Sequence, residues 1–272
     1  AILAAYTTTL EYDALGRVKR STDALGGETI NEYDAFGNQV KVTDPNGASG
    51  YFYFDANNQA TWQVDPMGYA VESRYDAFGQ VETIVRYAKA VTGTLSTGST
   101  IEVFDNQAQA TTAGAAVYIL RDETKDATTT IEHDKLGRQT AIIDAEGHRE
   151  SMAYDGLGNK ISFTNKLQGT YTYTHDKLGR VLTETSPVTV KQYTAQGTLK
   201  VNPNQVAGLA NTEWLVVTRF EYDERGNVTK KIEAEDLDEQ RITEYTYDKL
   251  DRQTAQIGQA TTVYTTQTGW ST

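Results

Sequence analysis

The chain has 272 residues, with 37 acidic and 25 basic side chains, a formal net charge of −12 and 38% hydrophobic residues. We expect no nucleic-acid partner, because neutralising phosphate requires clustered lysine and arginine, and the acidity instead favours solubility. Cysteine is absent, which excludes disulfides and thiolate-bound metal. No apolar run approaches the length of a membrane-spanning helix, so we expect no membrane insertion by this segment.

One short phrase recurs from the start of the chain: a ring, usually Asp, two variable residues and usually Gly. Its rings stand 21 residues apart in two series, which are Tyr12, Tyr33, Phe54, Tyr75 and then His133, Tyr154, His175. Steps of 29 residues separate Tyr75, Phe104 and His133, and also Tyr193 and Tyr222. A fixed period in this range is typical of repeat architectures, and the longer steps indicate loops inserted between repeats.

Each copy of the phrase predicts a tight turn between two strands. Asp at the first turn position can accept backbone N–H groups with its side chain, and Gly suits the last position. We therefore assign a structural role, and no catalytic role, to the motif residues of the clearest copies. These residues are Tyr12, Asp13, Gly16, Tyr33, Asp34, Gly37, Phe54, Asp55, Tyr75, Asp76, Gly79, His133, Asp134, Gly137, Tyr154, Asp155, Gly158, His175, Asp176, Gly179, Tyr222, Asp223, Gly226, Tyr247 and Asp248.

A fainter Asp-x-x-Gly turn lies 11 residues after several rings, for example at Asp23 and Asp65. Between the turns, short runs alternate as strands do; in 169–175 the rings share one face and the threonines share the other. Two strands and two turns in 21 residues make one β-hairpin per repeat. We predict an all-β fold, a repeat array of antiparallel β-hairpins that forms part of a spiralling sheet, and no stretch shows a convincing helix pattern.

The domain organisation follows from the same register. Residues 1–272 are expected to form one repeat region, a fragment of a larger chain, with an inserted loop region at Ala88–Ala116. That region and the loop Pro203–Asn211 are the places where we expect any local recognition, because loops tolerate variation and often bind ligands.

The phrase Tyr-Asp-x-x-Gly-Arg/Asn resembles the YD repeats of RHS-repeat proteins, with full matches beginning at Tyr12, Tyr33, Tyr154 and Tyr222. The resemblance covers nearly the whole chain. It implies a spiralling β-sheet that closes into a hollow shell, as in the B and C components of Tc toxins, bacterial Rhs polymorphic toxins and, more distantly, teneurins. The implied function is structural, as a wall segment of a shell that encapsulates a C-terminal effector, without catalysis or a cofactor.

The resemblance also implies partners and a location. The partners are the remaining shell of the parent chain, the enclosed effector and a further toxin component, and the location is secreted or at a bacterial cell surface. The alternative is an adhesin whose aromatic face or loops bind carbohydrate or a partner protein. Burial of Phe52, Phe54, Tyr171 and Tyr173 between hairpins would favour the wall, and full exposure would favour adhesion.

No residue pattern predicts chemistry. The repeated Asp residues lack the spacing of a calcium-binding loop. His133 and His175 occupy ring positions two repeats apart, which argues against zinc. Asp44 and Asp65 stand in Asp-Pro-x-Gly phrases similar to the self-cleaving segment of bacterial shells, but their register with Asp23 indicates ordinary turns. An enzyme would need such acids to converge in a cleft.

Overall fold

The computed structural model describes residues 7–202 and 208–258, which form two compact units that meet in sequence at Arg149 and Glu150. The elements of the first unit are β1 (Thr9–Tyr12), β2 (Val18–Thr22), β3 (Glu28–Tyr33), β4 (Gln39–Thr43), β5 (Ser49–Phe54), β6 (Ala60–Val64), β7 (Ala70–Tyr75), β8 (Val81–Arg86), β9 (Glu102–Phe104), α1 (Gln107–Ala113), β10 (Tyr118–Leu120), β11 (Ala127–His133) and β12 (Gln139–Ile143). Strands β1 to β8 pair consecutively and antiparallel. Strand β8 then pairs with β11, and β11 with β12, so the sheet continues past the residues between them.

The second unit is a further run of antiparallel hairpins. Its strands are β13 (Arg149–Tyr154), β14 (Lys160–Thr164), β15 (Thr170–His175), β16 (Val181–Val190), β17 (Trp214–Tyr222), β18 (Val228–Glu233), β19 (Arg241–Tyr247) and β20 (Gln253–Gly258). Each pairs with the next along the chain. The predicted all-β array of antiparallel hairpins is therefore confirmed in both units. Of the loop Pro203–Asn211, residues 203–207 lie outside the described part of the chain.

The strands alternate as their sequences predict. In β15 the threonines Thr170, Thr172 and Thr174 are exposed, whereas Tyr171, Tyr173 and His175 are half-buried. The rings pack on neighbours; Phe163 of β14 stacks on Tyr171 with their ring centroids 6.2 Å apart. Cross-strand contacts of this kind are the unit of sheet stabilisation.

A β-bulge accompanies the hairpin turn that follows each ring at the end of a strand of the main sheet. The register shifts by one residue beside nine residues, namely Tyr12, Tyr33, Phe54, Tyr75, His133, Tyr154, His175, Tyr222 and Tyr247. The intervening hairpins, such as β2–β3 and β14–β15, keep an unbroken register. Because a bulge interrupts the ladder locally, each repeat has one regular and one irregular hairpin connection.

Residues 88–126 form a small folded insertion over the first unit's sheet. Its strands β9 and β10 pair in parallel, and α1 joins them. The prediction of no helix is wrong here. The sequence QAQATTA has no apolar period, and the helix is defined by its ends: Asn106 accepts a hydrogen bond from the Gln109 N–H, and Gly114 adopts a left-handed φ of 66°.

The apolar core of the first unit lies between this insertion and the sheet. Ile101, Val117 and Ile119 of the insertion pack with Val64 and Val85 of β6 and β8. Ile119 is fully buried. In the described residues of the second unit, only Ile232 and Leu237 are buried hydrophobics, so that unit depends far more on its hydrogen bonds. Within the described residues, no helix is long and apolar enough to cross a membrane.

Candidate functional site: the repeated ring–Asp turn

Each motif Asp organises its own turn. Asp13 Oδ1 accepts the N–H groups of Leu15 and Arg17, both at 2.9 Å, while the Gly16 N–H donates to the Asp13 carbonyl at 3.0 Å. Gly16 adopts a φ of 79°, which glycine tolerates without a steric penalty. The same pair of carboxylate contacts occurs at Asp34, Asp55, Asp76, Asp134, Asp155, Asp176, Asp223 and Asp248.

The second turn of each repeat uses the same construction. Asp23, Asp44, Asp65 and Asp144 each accept two backbone N–H groups through Oδ1. Asn165 replaces Asp with its amide oxygen at 3.0 Å from both donors. Asp44 and Asp65 therefore serve as turn residues, as their register predicts.

Where it is Arg or Asn, the residue four positions after the motif Asp binds the second carboxylate oxygen. Arg17 Nε lies 2.6 Å from Asp13 Oδ2, and Arg180 Nε lies 2.6 Å from Asp176 Oδ2. Where the position is Asn, as at Asn38, the amide Nδ2 donates to the Asp at 2.9 Å. This contact explains why the phrase ends in Gly-Arg or Gly-Asn.

These hydrogen bonds favour the ionised carboxylate. The pKa of Asp134 is lowered chiefly by the side-chain hydrogen bond from Arg138, and that of Asp248 chiefly by the one from Arg252. At Asp34, burial raises the pKa, but the hydrogen bonds from Asn38 and the turn backbone outweigh it and the net pKa is lowered. Lowered pKa values also occur at Asp13, Asp76, Asp155, Asp176 and Asp223.

The ring of the motif connects its repeat to the one that precedes it in the sheet. Tyr33 Oη donates to the carbonyl of Val18 at 2.9 Å, and Tyr222 Oη donates to the carbonyl of Val181 at 2.8 Å. Tyr75 and Tyr247 make the equivalent bonds to Ala60 and Val228. In the neighbouring copy, each acceptor carbonyl lies beside the bulge and two residues after the turn Gly. For Ala60 the turn residue is Asn58, which replaces Gly. The sequence does not predict these contacts, because the period reveals that a ring recurs but not which carbonyl it reaches.

An arginine completes the connection in two places. The Arg17 guanidinium lies 4.4 Å from the centroid of the Tyr33 ring, and Arg180 lies 4.7 Å from that of Tyr222. Arg180 Nη1 also donates to the Asp223 carbonyl at 3.1 Å. One arginine thus binds its own Asp, the next ring and the next turn, a geometry that the planar guanidinium permits.

Comparisons with known proteins agree with this geometry. A family model for the RHS repeat matches residues 6–49. Residues 6–49 are therefore similar to an RHS repeat. Outside that match, the copies at Phe54, Tyr75, His133, Tyr154, His175, Tyr222 and Tyr247 build the same turn and the same bulge. No match was found among curated proteins.

Solved structures share the fold. The crystal structure of TcdB2-TccC3-TEV aligns with a TM-score of 0.50 at 20% identity, and so does that of TcdB2-TccC3 without its hypervariable C-terminal region. Each alignment covers 92% of this chain and 13% of the other, so the chain spans about an eighth of those relatives. The Photorhabdus luminescens Tc holotoxin pore with a TccC3 mutation aligns at 17% identity over 90% of this chain and 15% of that one, with a TM-score of only 0.27.

Some motif copies of this repeat array depart from the pattern. Phe54 has no hydroxyl to donate, and Tyr12 is 58% exposed on β1. Tyr154 lies 3.9 Å from the sulfur of Met152. Phe104-Asp105 does not form a turn, because Asp105 leads into α1 and its N–H binds Gln109 Oε1 at 3.0 Å. The weaker copy at Tyr193 does build the turn, with Thr194 in place of Asp.

The histidines and acids of the repeats do not form a metal site in the part of the chain that the structure describes. His133 lies near Asp76 and contributes to lowering the pKa of that carboxyl. His148 Nδ1 lies 3.5 Å from Asp144 and 3.4 Å from Glu146, but all three groups belong to one exposed turn. A hairpin separates each repeated acid from the next, so the acids do not converge on one point. Each of them stabilises its own turn.

A row of apolar turn residues was missed by the sequence reasoning. In seven copies, the second variable position of the motif bears a large apolar side chain that is more than two-thirds exposed. These residues are Leu15, Phe36, Phe78 and Leu136 in the first unit, and Leu157, Leu178 and Leu250 in the second. Their recurrence at one motif position in seven copies could have revealed them. Exposed apolar groups that recur in this way are a candidate surface for contact with another protein surface.

Proposed function

We propose that this chain is a segment of the wall of an RHS-repeat shell, in a bacterial toxin protein that encapsulates a C-terminal effector. Its contribution is containment, and it performs no chemistry of its own. The observation that supports this most is the continuous pairing of hairpins within each unit, in which repeats are bound to their neighbours through Tyr33-type hydrogen bonds and a shared ladder. A barrier requires such lateral continuity.

The exposed apolar row supports the proposal independently. A free surface in water would not favour seven side chains such as Phe36 and Leu157 at one repeated position. We infer that other parts of the parent chain cover them, so the remaining shell is the first partner. The small share that the chain covers of the TcdB2-TccC3 chains fits a segment of a much larger wall.

The burial of the rings bears on the alternative of adhesion through an aromatic face. Phe52, Phe54, Tyr171 and Tyr173 are all half-buried, and none is fully open to solvent. Because these rings pack on adjacent strands, they favour the wall over a continuous sugar-stacking surface. The enclosed effector, a further toxin component, and a secreted or surface location remain parts of the proposal.

Electron microscopy of the full parent polypeptide tests the proposal. We expect a closed hollow shell with this segment in its wall and with density inside. A protease-protection assay adds a functional readout: the effector should resist added protease until the shell is denatured. An open rod, or an effector digested equally fast before and after denaturation, would contradict containment.

A matched pair of parent variants links that protection to the repeats. Tyr33→Phe combined with Tyr222→Phe removes two hydroxyls that connect adjacent repeats. We expect faster digestion of the effector in this variant. The control Tyr12→Phe changes a largely exposed ring whose hydroxyl joins no repeats within the described residues, and it should leave protection unchanged. Equal protection in both variants would show that these junctions do not seal the wall.

A further inference from the structure

A cleft of about 390 Å³ lies in the first unit, where the start of the insertion crosses the faces of β5 and β6. Residues 97–101 form one wall, and Tyr53 and Trp62 belong to the other. This volume is within the range of small-molecule sites in proteins. Nothing in the wall function requires a cleft at this place.

The walls of the cleft are held in position before any ligand arrives. Tyr53 Oη donates to the Ser96 carbonyl at 2.9 Å, which fixes the loop to the sheet. Ile101, at the end of the loop, is buried in the apolar core. Trp62 stacks on Tyr87 with centroids 5.7 Å apart and planes 22° apart, so the plane of the indole is also fixed. Preorganised walls reduce the entropy that binding costs.

The lining combines aromatic rings with unused neutral hydrogen-bonding groups. Tyr53 and Trp62, which lie opposite each other on β5 and β6, supply the rings. Within the described residues, the hydroxyls of Thr97 and Thr100 and the indole N–H of Trp62 form no hydrogen bond. Thr97 and Thr100 are exposed and therefore reachable from solvent.

The charges of the lining exclude an ionic ligand. No lysine or arginine lines the cleft among the described residues, so an anion would find no counter-charge there. The acid in the lining is Asp34, and both of its carboxylate oxygens already accept hydrogen bonds from its own turn. A wholly apolar ligand would leave the hydroxyls of Thr97 and Thr100 without partners, at a desolvation cost.

We propose that this cleft binds a neutral saccharide unit. The C–H faces of a pyranose pack against aromatic rings, whose faces are partly negative, and its hydroxyl groups pair with neutral donors and acceptors. The cleft offers both kinds of contact within the size of one or two sugar rings. This site is local to the insertion, and it is independent of the wall function.

Titration of the 272-residue chain with methyl glucoside, methyl galactoside and N-acetylglucosamine tests the proposal, with saturation-transfer NMR and tryptophan fluorescence as readouts. We expect at least one sugar to bind and to perturb Trp62. Thr97→Ala and Thr100→Ala should each weaken binding about fivefold, which is the effect of losing one neutral hydrogen bond. Thr94→Ala, an exposed threonine of the same loop outside the cleft lining, is the matched control and should leave binding unchanged.

A further variant separates the indole N–H from the ring. Trp62→Phe keeps an aromatic face and removes the donor, and it should weaken binding while circular dichroism stays unchanged. Three results would overturn the proposal. They are the absence of binding by all three sugars, binding that survives the combined Thr97→Ala and Thr100→Ala changes, and binding of indole with no competition from sugars. A failure here leaves the shell proposal untouched, because that proposal is tested on the parent by imaging and protection.

Discussion

In the hairpins of the first unit most side chains are half-buried, whereas in its insertion Ile101, Val117 and Ile119 are buried in a shared apolar core. The hairpins are specified by contacts that are short in sequence, between an Asp and the N–H groups two and four residues later. The insertion is specified by contacts between distant residues, such as Ile119 against Val64. Local hydrogen bonds can repeat indefinitely along a chain, but a three-dimensional core cannot, because it needs a unique set of neighbours.

The largest effect should come from the core of the insertion. Ile119→Ala deletes three carbons from a fully buried side chain, and we expect the free energy of unfolding to fall by about 2–5 kcal/mol. Amide hydrogen exchange should show the loss in residues 88–126 before it reaches the hairpins of β1 to β4. The control Val188→Ala, at an exposed strand position, should change stability by less than about 0.5 kcal/mol. Equal loss of protection in the insertion and in β1 to β4 would mean that the two regions fold as one cooperative unit.

Acid should affect the hairpins more than the insertion. The folded-state pKa of eight turn carboxyls is lowered, so their stabilisation is complete above the unfolded value of about 3.9 and is lost as pH falls through the lower folded values. We therefore expect the urea midpoint to be flat from about pH 7 to 5 and to fall below about pH 4. Asp134→Asn, which reproduces the side chain found at Asn165, keeps the backbone contacts and should reduce the pH dependence.

One result would contradict the prediction that acid destabilises the hairpins. A midpoint that rises below pH 4 would show that repulsion among the 37 acids outweighs the turn hydrogen bonds. Asp134→Ala removes the acceptor as well as the charge, so it should destabilise more than Asp134→Asn at pH 7. Equal stability of the two variants would mean that the charge, and not the oxygen acceptor, holds the turn.

A smaller effect should distinguish two chemically identical changes. Tyr33→Phe removes the hydrogen bond to the Val18 carbonyl, and we expect a loss of about 0.5–1.5 kcal/mol in thermal or urea unfolding. Tyr12→Phe, at a ring that is 58% exposed, should cost close to nothing. If both cost the same, the ring's hydroxyl would have no role at the repeat junction.

The smallest effect concerns the turn geometry itself. Gln168 adopts a φ of 65° at a position where other turns have glycine, so Gln168→Gly should stabilise the chain by about 0.5–1 kcal/mol. Gly158→Ala is the reverse change at a φ of 94° and should destabilise, although space for the added carbon is available. Urea unfolding of both variants measures the difference. Shifts of the same sign would show that left-handed geometry does not limit these turns.

Much of the hairpin array could be predicted from the sequence. The 21-residue period, the Asp-x-x-Gly phrases and the alternation in 169–175 are all local patterns, and local hydrogen bonds realise them. The ring's hydroxyl partner could not be predicted, because Val18 and Tyr33 are brought together only by the pairing of β2 with β3. The helix α1 was missed for a related reason: it is seven residues long, and its ends are defined by Asn106 and Gly114 rather than by an apolar period.

By itself, the sequence determined the fold class, the position of nearly every turn and the resemblance to RHS repeats, because each of these depends on residues within one 21-residue unit. Only the tertiary structure decided the contacts between neighbouring repeats, the folded insertion and the cleft beside Trp62. Those features join residues that are far apart in sequence, and no period records which of them meet. The physical reason is the range of the interactions: turn hydrogen bonds are closed within five residues, whereas burial and inter-repeat contacts depend on the whole arrangement of the chain.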